Sequence, residues 1–188
     1  PVSLKDAPTA ARQPSAWGVW TAGSITLGER ERGAVDPGFD FRSDGVTLGA
    51  DRRFGQSLLL GMAAGMGWND TDLNYSDSGL DATQHSLAMY GLWRSGEHLY
   101  LDGLLGLGRL KFDIDRWSEV AAASAQAQRD GDQAFASLSL GYQHRGQGLD
   151  LTGYGRLDIS RTTLDAYRES GLGIYDLGYG EQTIDSSS

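Results

Sequence analysis

Between Trp17 and Leu27 the odd positions read Trp17, Val19, Thr21, Gly23, Ile25 and Leu27. The even ones, Trp20 apart, are small or polar. The same two-residue period returns further on. From Leu58 to Trp68, one set is Leu58, Leu60, Met62, Ala64, Met66 and Trp68, and the other is Leu59, Gly61, Ala63, Gly65 and Gly67. From Leu99 to Leu107, Leu99, Leu101, Gly103, Leu105 and Leu107 face away from Tyr100, Asp102, Leu104 and Gly106. From Leu149 to Ile159, Leu149, Leu151, Gly153, Gly155, Leu157 and Ile159 alternate with Asp150, Thr152, Tyr154, Arg156 and Asp158. Successive side chains of a strand point to opposite faces, so each segment is predicted to be a strand between two different environments. Phe135 to Tyr142 and Val46 to Asp51 alternate less cleanly. His85 to Trp93 is a strand by content, with both faces partly apolar.

The clean segments are about nine to eleven residues long, the length of a tilted membrane-spanning strand, whereas soluble strands cluster near about five or six. Their connections alternate. Arg53 to Gln56, Arg94 to Glu97 and His144 to Gly148 are short. Gly28 to Asp44, Asn69 to Gln84, Lys111 to Gln133 and Arg161 to Gln182 are long and polar. Short turns on one rim and long loops on the other form the pattern of outer-membrane barrels.

In such a barrel the bulky apolar set faces lipid, and small and polar residues face the lumen. Charge on the lipid face is costly. The candidate lumen residues are therefore Asp102, Asp150, Thr152, Tyr154, Arg156 and Asp158. Trp17, Trp68, Trp93, Tyr100 and Tyr142 fall near predicted strand ends and are candidates for an interfacial aromatic girdle.

Composition narrows the picture. Of 188 residues, 27 are glycine and 4 proline, and the formal net charge is −9. An acidic chain argues against nonspecific nucleic-acid binding. With no cysteine there is no disulfide, thiolate metal site or cysteine nucleophile. No apolar run is long enough for a membrane-spanning helix. Pro1 to Ala16 lacks the apolar core of a signal peptide, so the chain reads as a piece of something longer.

Candidate chemistry is sparse. The histidines are His85, His98 and His144, and no G-x-S-x-G elbow is present. Gly103 to Gly108 lacks the Lys-Ser/Thr of a phosphate loop and belongs to a strand. Asp70, Asp72, Asn74, Ser76 and Asp81 fit positions of a calcium-loop template. Tyr75 replaces the turn glycine, however, and an acidic loop is the better reading. No catalytic group, metal or cofactor is expected.

Gly45-Val-Thr-Leu-Gly-Ala-Asp-Arg-Arg-Phe54, Tyr90-Gly-Leu-Trp, Leu99-Tyr-Leu-Asp-Gly103, Leu138-Ser-Leu-Gly-Tyr142 and Tyr167-Arg-Glu-Ser-Gly171 follow one another with this loop alternation. Together they resemble the translocator β-domain of the autotransporters, the type V secretion proteins of Gram-negative bacteria. The resemblance implies an all-β, antiparallel, up-and-down transmembrane barrel of twelve strands in the outer membrane, threaded by a helix. It also implies export of an N-terminal passenger to the cell surface. Its partners would be outer-membrane lipid, the passenger and linker of the same polypeptide, and the barrel-assembly machinery. On this reading residues 1–16 are linker from the passenger side and 17–188 are barrel.

The chain departs from the family in two respects. Pro1 to Ser15 shows no helical periodicity, and the chain stops as an eighth strand begins. About seven to eight strands are therefore expected, without the terminal aromatic β-signal, and a barrel not closed on itself. The alternatives are a small outer-membrane barrel with adhesin or ligand-binding loops, and a soluble barrel holding an apolar ligand.

Overall fold

A computed structural model describes residues 16–30, 39–73, 78–96, 98–146 and 149–188, with the side chains at 29, 30, 39, 145, 146, 149 and 150 outside that description. Seven long strands follow in order: β1 (Trp17–Arg30), β2 (Phe39–Phe54), β3 (Leu58–Leu73), β4 (Ser78–Ser95), β5 (Leu99–Ser118), β6 (Ala123–Gly146) and β7 (Leu149–Leu164). The two-residue strands β8 (Tyr167–Arg168) and β9 (Gly178–Tyr179) pair with each other, and β10 (Gln182–Ser187) closes the order. The main sheet runs β1-β2-β3-β4-β5-β6-β7-β10, every pair antiparallel. Its ends do not pair with each other: β1 bonds β2, and β10 bonds β7. The sheet is therefore an open section of barrel wall.

The expected strands are all present, but three of the four expected long loops are largely strand in their described residues; only Arg161 to Gln182 stays mostly irregular. β5 continues past Leu107 to Ser118 and β6 begins at Ala123, so most of Lys111 to Gln133 is a paired hairpin. Polarity explains the difference. Up to Leu107 the outward positions of β5 are leucine or glycine, and the inward ones include Asp102, Gly106 and Gly108. Beyond it the pattern inverts: Arg109, Lys111, Asp113 and Asp115 face out, and Leu110, Phe112 and Ile114 face in. The period of two never breaks. Only the outward residues change, from apolar to charged. At about 3.3 Å per residue the 20 residues of β5 extend about 65 Å, more than an apolar band about 25 Å tall requires even at a tilt of 40°.

The other rim is made of tight turns. β2 ends at Phe54 and β3 starts at Leu58. β4 ends at Ser95 and β5 starts at Leu99. Gly55 and Gly96 hold φ of 63° and 64°, a left-handed conformation that strongly favours glycine. Among the described residues no helix is long and apolar enough to cross a membrane, and the helical content is one 3-10 turn, Gly173–Tyr175.

No large described side chain is fully buried. The buried apolar residues are Ala125, Ala127 and Leu172, where the segment 165–181 folds back onto the inward face of the β5–β6 extension. Elsewhere bulk points outward. Val19 is 84% exposed, Leu105 63% and Leu107 66%. A water-soluble sheet of this size would cover such a surface, since a monomer rarely exposes a contiguous apolar patch beyond a few hundred Å².

Candidate functional site: the concave face

Concavity follows from a bond across the sheet. Trp20 of β1 donates from Nε1 to the Tyr90 hydroxyl of β4 at 2.5 Å, with ring centres 6.0 Å apart. On a flat sheet three strand spacings would separate these backbones by about 14 Å. The face carrying Trp20 and Tyr90 is therefore the inside of the curve. Tyr90 passes the chain on, donating to Asp51 Oδ2 at 3.0 Å. The space enclosed holds about 1600 Å³ and is lined from β1 to β6 by residues that include Trp20, Ser86, Tyr90, Tyr100, Asp102 and Phe135.

Glycine makes room for these rings. A Cβ at Gly49 would collide with the Trp20 indole, one at Gly61 with the Tyr90 ring, and one at Gly141 with the Tyr100 ring. In each pair the aromatic lies flat over a glycine on the neighbouring strand. These three inward glycines are thus sockets for aromatic side chains.

The register places the candidate lumen residues as follows. Asp102 stands opposite Ser139, which stands opposite Arg156. Tyr154 stands opposite Gly141, and Asp158 opposite Ser137. Thr152 stands opposite Gln143, another cavity residue. These five side chains share the concave face. Arg156 grips Asp158 in a two-pronged pair, Nε to Oδ2 at 2.7 Å and Nη2 to Oδ1 at 2.8 Å. Asp102 lies within electrostatic reach of the same guanidinium. The side chain of Asp150 lies outside the described residues.

Of the five girdle candidates, Trp17, Trp68, Trp93 and Tyr142 lie on the convex face and are exposed. Tyr100 does not belong with them. Its even position puts it on the concave face over Gly141, beside the cavity, so it cannot reach a surrounding interface. Proximity to a strand end was the signal for it, and parity overrides that signal.

The long-loop end carries a second cluster. Arg116 reaches Glu169 in a two-pronged pair at 2.8 and 2.5 Å, and Glu169, only 3% exposed, also accepts the Leu177 N–H at 3.1 Å. These bonds from Arg116 first, and the Leu177 N–H after them, hold the Glu169 carboxyl below its usual range against the opposing effect of burial. Arg129 donates to the carbonyls of Asp165 and Gly180 and lies over the Tyr167 ring, which stacks on Tyr179 at 4.9 Å. Sequence reasoning missed both this cluster and the Trp20–Tyr90–Asp51 chain. Trp20 was the visible exception among the even positions of β1. Glu169 carried no local signal, because its partner lies 53 residues away.

The calcium-loop candidates are only partly described. Asp70 and Asp81 lie on adjacent strands and face each other across the β3–β4 hairpin, while Asn74 and Ser76 lie outside the described residues. Among the described residues no group of three or more histidine or acidic side chains is arranged to hold a metal. His98 and His144 meet at the short-turn rim, ring centres 5.6 Å apart, with His98 Nδ1 at 2.8 Å from the Gln143 carbonyl.

An open, twisted sheet with an apolar outside and a polar, glycine-socketed inside narrows the comparison to membrane barrels. The autotransporter β-domain family model matches residues 19–188. The chain belongs to that family. The translocator domain of the autotransporter NalP from Neisseria meningitidis shares its fold at a TM-score of 0.75, with 22% identity over 94% of this chain and 60% of that one. The ferric yersiniabactin uptake receptor FyuA from Yersinia pestis is similar at a TM-score of 0.52, with 13% identity, over 92% of this chain and 31% of that one. In sequence, outer membrane protein B of Rickettsia japonica is 21% identical over 171 residues, 85% of this chain. This autotransporter β-domain chain spans 60% of the NalP translocator chain and 10% of the rickettsial protein. Its place is the outer membrane of a Gram-negative bacterium.

Proposed function

We propose that this chain forms part of the wall of a translocation pore that carries an N-terminal passenger to the cell surface. The observation that supports this reading best is the concave face: a polar surface about a large cavity, backed by a lipid-facing apolar one, within an autotransporter β-domain. Residues 17–188 are barrel and 1–16 are the linker from the passenger side. Asp102, Asp150, Thr152, Tyr154, Arg156 and Asp158 contact the threaded linker through hydrogen bonds and charge. Trp17, Trp68, Trp93 and Tyr142 anchor the wall at the two interfaces. Outer-membrane lipid and the barrel-assembly machinery are the partners. The reading involves no catalytic step, metal or cofactor.

The test uses the absence of native cysteine. In the full-length protein, one cysteine replaces Ala10 and a second replaces Asp102, Arg156 or Leu105. Oxidation is expected to cross-link Ala10→Cys to the first two and not to Leu105→Cys, and to trap the passenger short of protease-accessible display. Equal cross-linking at the leucine position, or display unaffected by the cross-link, would contradict the reading.

A further inference from the structure

The cations of the two rims are treated differently. Toward the long-loop end Arg42 holds Asp44 at 2.7 Å, Arg109 holds Asp132 at 3.5 Å and Arg161 holds Asp185 at 2.7 Å. At the short-turn end Arg52, Arg53 and Arg94 hold no carboxylate among the described residues. Arg52 is on the convex face, its guanidinium 5.4 Å from the Trp17 ring centre and 5.0 Å from that of Phe54. Arg53 and Arg94 are on the other, concave face, opposite Leu59 and Tyr100, and line a cavity of about 340 Å³ around the turn at Gly55–Ser57.

We propose that this rim binds the phosphate of an anionic phospholipid in the periplasmic leaflet through Arg52. The proposal rests on the outer-membrane barrel reading. Short turns end near the membrane plane, which sets these side chains at headgroup level. The two aromatic rings sit where interfacial aromatics sit, and they press on the guanidinium faces, leaving the edge N–H groups to point outward. Arginine presents those donors as a planar fork that matches two phosphate oxygens. The opposite rim, with Asp70, Asp81 and Asp113 facing one another across three strands, would repel the same headgroup. An acidic protein segment fits less well, because Arg52 is held on the lipid-facing side.

The test is native mass spectrometry of the full-length protein from neutral detergent. The micelles carry equal amounts of phosphatidylglycerol and phosphatidylethanolamine with matched acyl chains. The wild type should retain phosphatidylglycerol in preference. Arg52→Gln should weaken that retention about fivefold, and Arg52→Lys by less. The double variant Arg53→Gln/Arg94→Gln, on the concave face, should leave the preference unchanged, as should Arg161→Gln. Equal retention of both lipids by the wild type would overturn the site. So would a preference that survives Arg52→Gln, or one that inorganic phosphate alone removes, which would mark a free-anion site. Heat-modifiable migration on gels reports the barrel separately. If Arg52→Gln loses its compact band, the wild type and Arg52→Lys still decide. Loss of that band in the wild type counts against barrel and site together, whereas equal retention by a compact wild type counts against the site alone.

Discussion

Replacing Glu169 with alanine should free the segment 165–181 while leaving the sheet intact. Glu169 accepts three bonds, two of them from Arg116, and is almost wholly buried, while about a third of the Arg116 side chain stays exposed. The stranded guanidinium can thus regain water, so the loss falls near the low end for a broken buried pair, about 3 kcal/mol. That is about a hundredfold in the local opening equilibrium. The reporters are the reciprocal bonds between Gln126 and Ser170, each 2.9 Å, which tie the segment to β6. In the full-length protein their amide exchange should accelerate about a hundredfold, while amides of the β5–β6 ladder at Leu105 and Ala136 keep their protection. The pH dependence has a definite sign. The folded-state pKa of Glu169 is depressed, so its contribution is complete above the ordinary glutamate value of about 4.3 and is lost as pH falls through the lower folded value. Corrected for intrinsic rates, Ser170 protection should hold from neutrality to about pH 5 and then fall in the wild type, and stay flat in Glu169→Ala. Unchanged exchange in the variant, or equal loosening of the whole ladder, would refute the reasoning.

Other outcomes follow from the two faces. Gly49→Val should push the Trp20 ring off its socket and break its bond to Tyr90, at about 1–3 kcal/mol, read as a red-shifted tryptophan emission and a lower denaturation midpoint. Leu105→Arg, on the convex face in the middle of the apolar band, should cost about 2–4 kcal/mol in lipid, measured by reversible folding into vesicles. Thr152→Arg, exposed on the concave face opposite Gln143, should cost far less in the same assay, and similar costs at the two sites would contradict the face assignment. Asp158→Asn should release the Arg156 guanidinium and raise its access to an anionic quencher, with little effect on stability because both partners are solvated.

How much could be read from the sequence differs along each strand. The half of β5 up to Leu107 is legible because leucines alternate with Asp102 and Gly106, two environments that differ as much as environments can. The outer half reads as a polar loop from Lys111 because Lys111, Asp113 and Asp115 stand where the inner half carries leucine. The inverted alternation, with Leu110, Phe112 and Ile114 inward, was there to be read. It describes an ordinary water-facing sheet, and its inner face packs near Ala125 and Ala127. On the concave face the parity of Asp102, Arg156 and Asp158 follows from sequence alone. What parity cannot supply is curvature. Trp20 and Tyr90 meet because the sheet bends, and Arg116 meets Glu169 because a later segment folds back, so neither pair leaves a trace in local spacing.

The central claim is that one face of this sheet meets lipid and the other an aqueous lumen. Because the chain has no cysteine, single spin labels can be attached to cysteines at Leu105, Leu107, Leu138 and Met89 on one face, and at Asp102, Ser139, Tyr154 and Arg156 on the other. The measurement is the relaxation of each label in the full-length protein in liposomes, by oxygen, which concentrates in lipid, and by a water-soluble nickel chelate. The account predicts oxygen-dominated relaxation at the first four sites and chelate-dominated relaxation at the second four, with the switch visible between the neighbours Leu138 and Ser139. The reverse pattern, or no alternation between neighbouring positions, would contradict it.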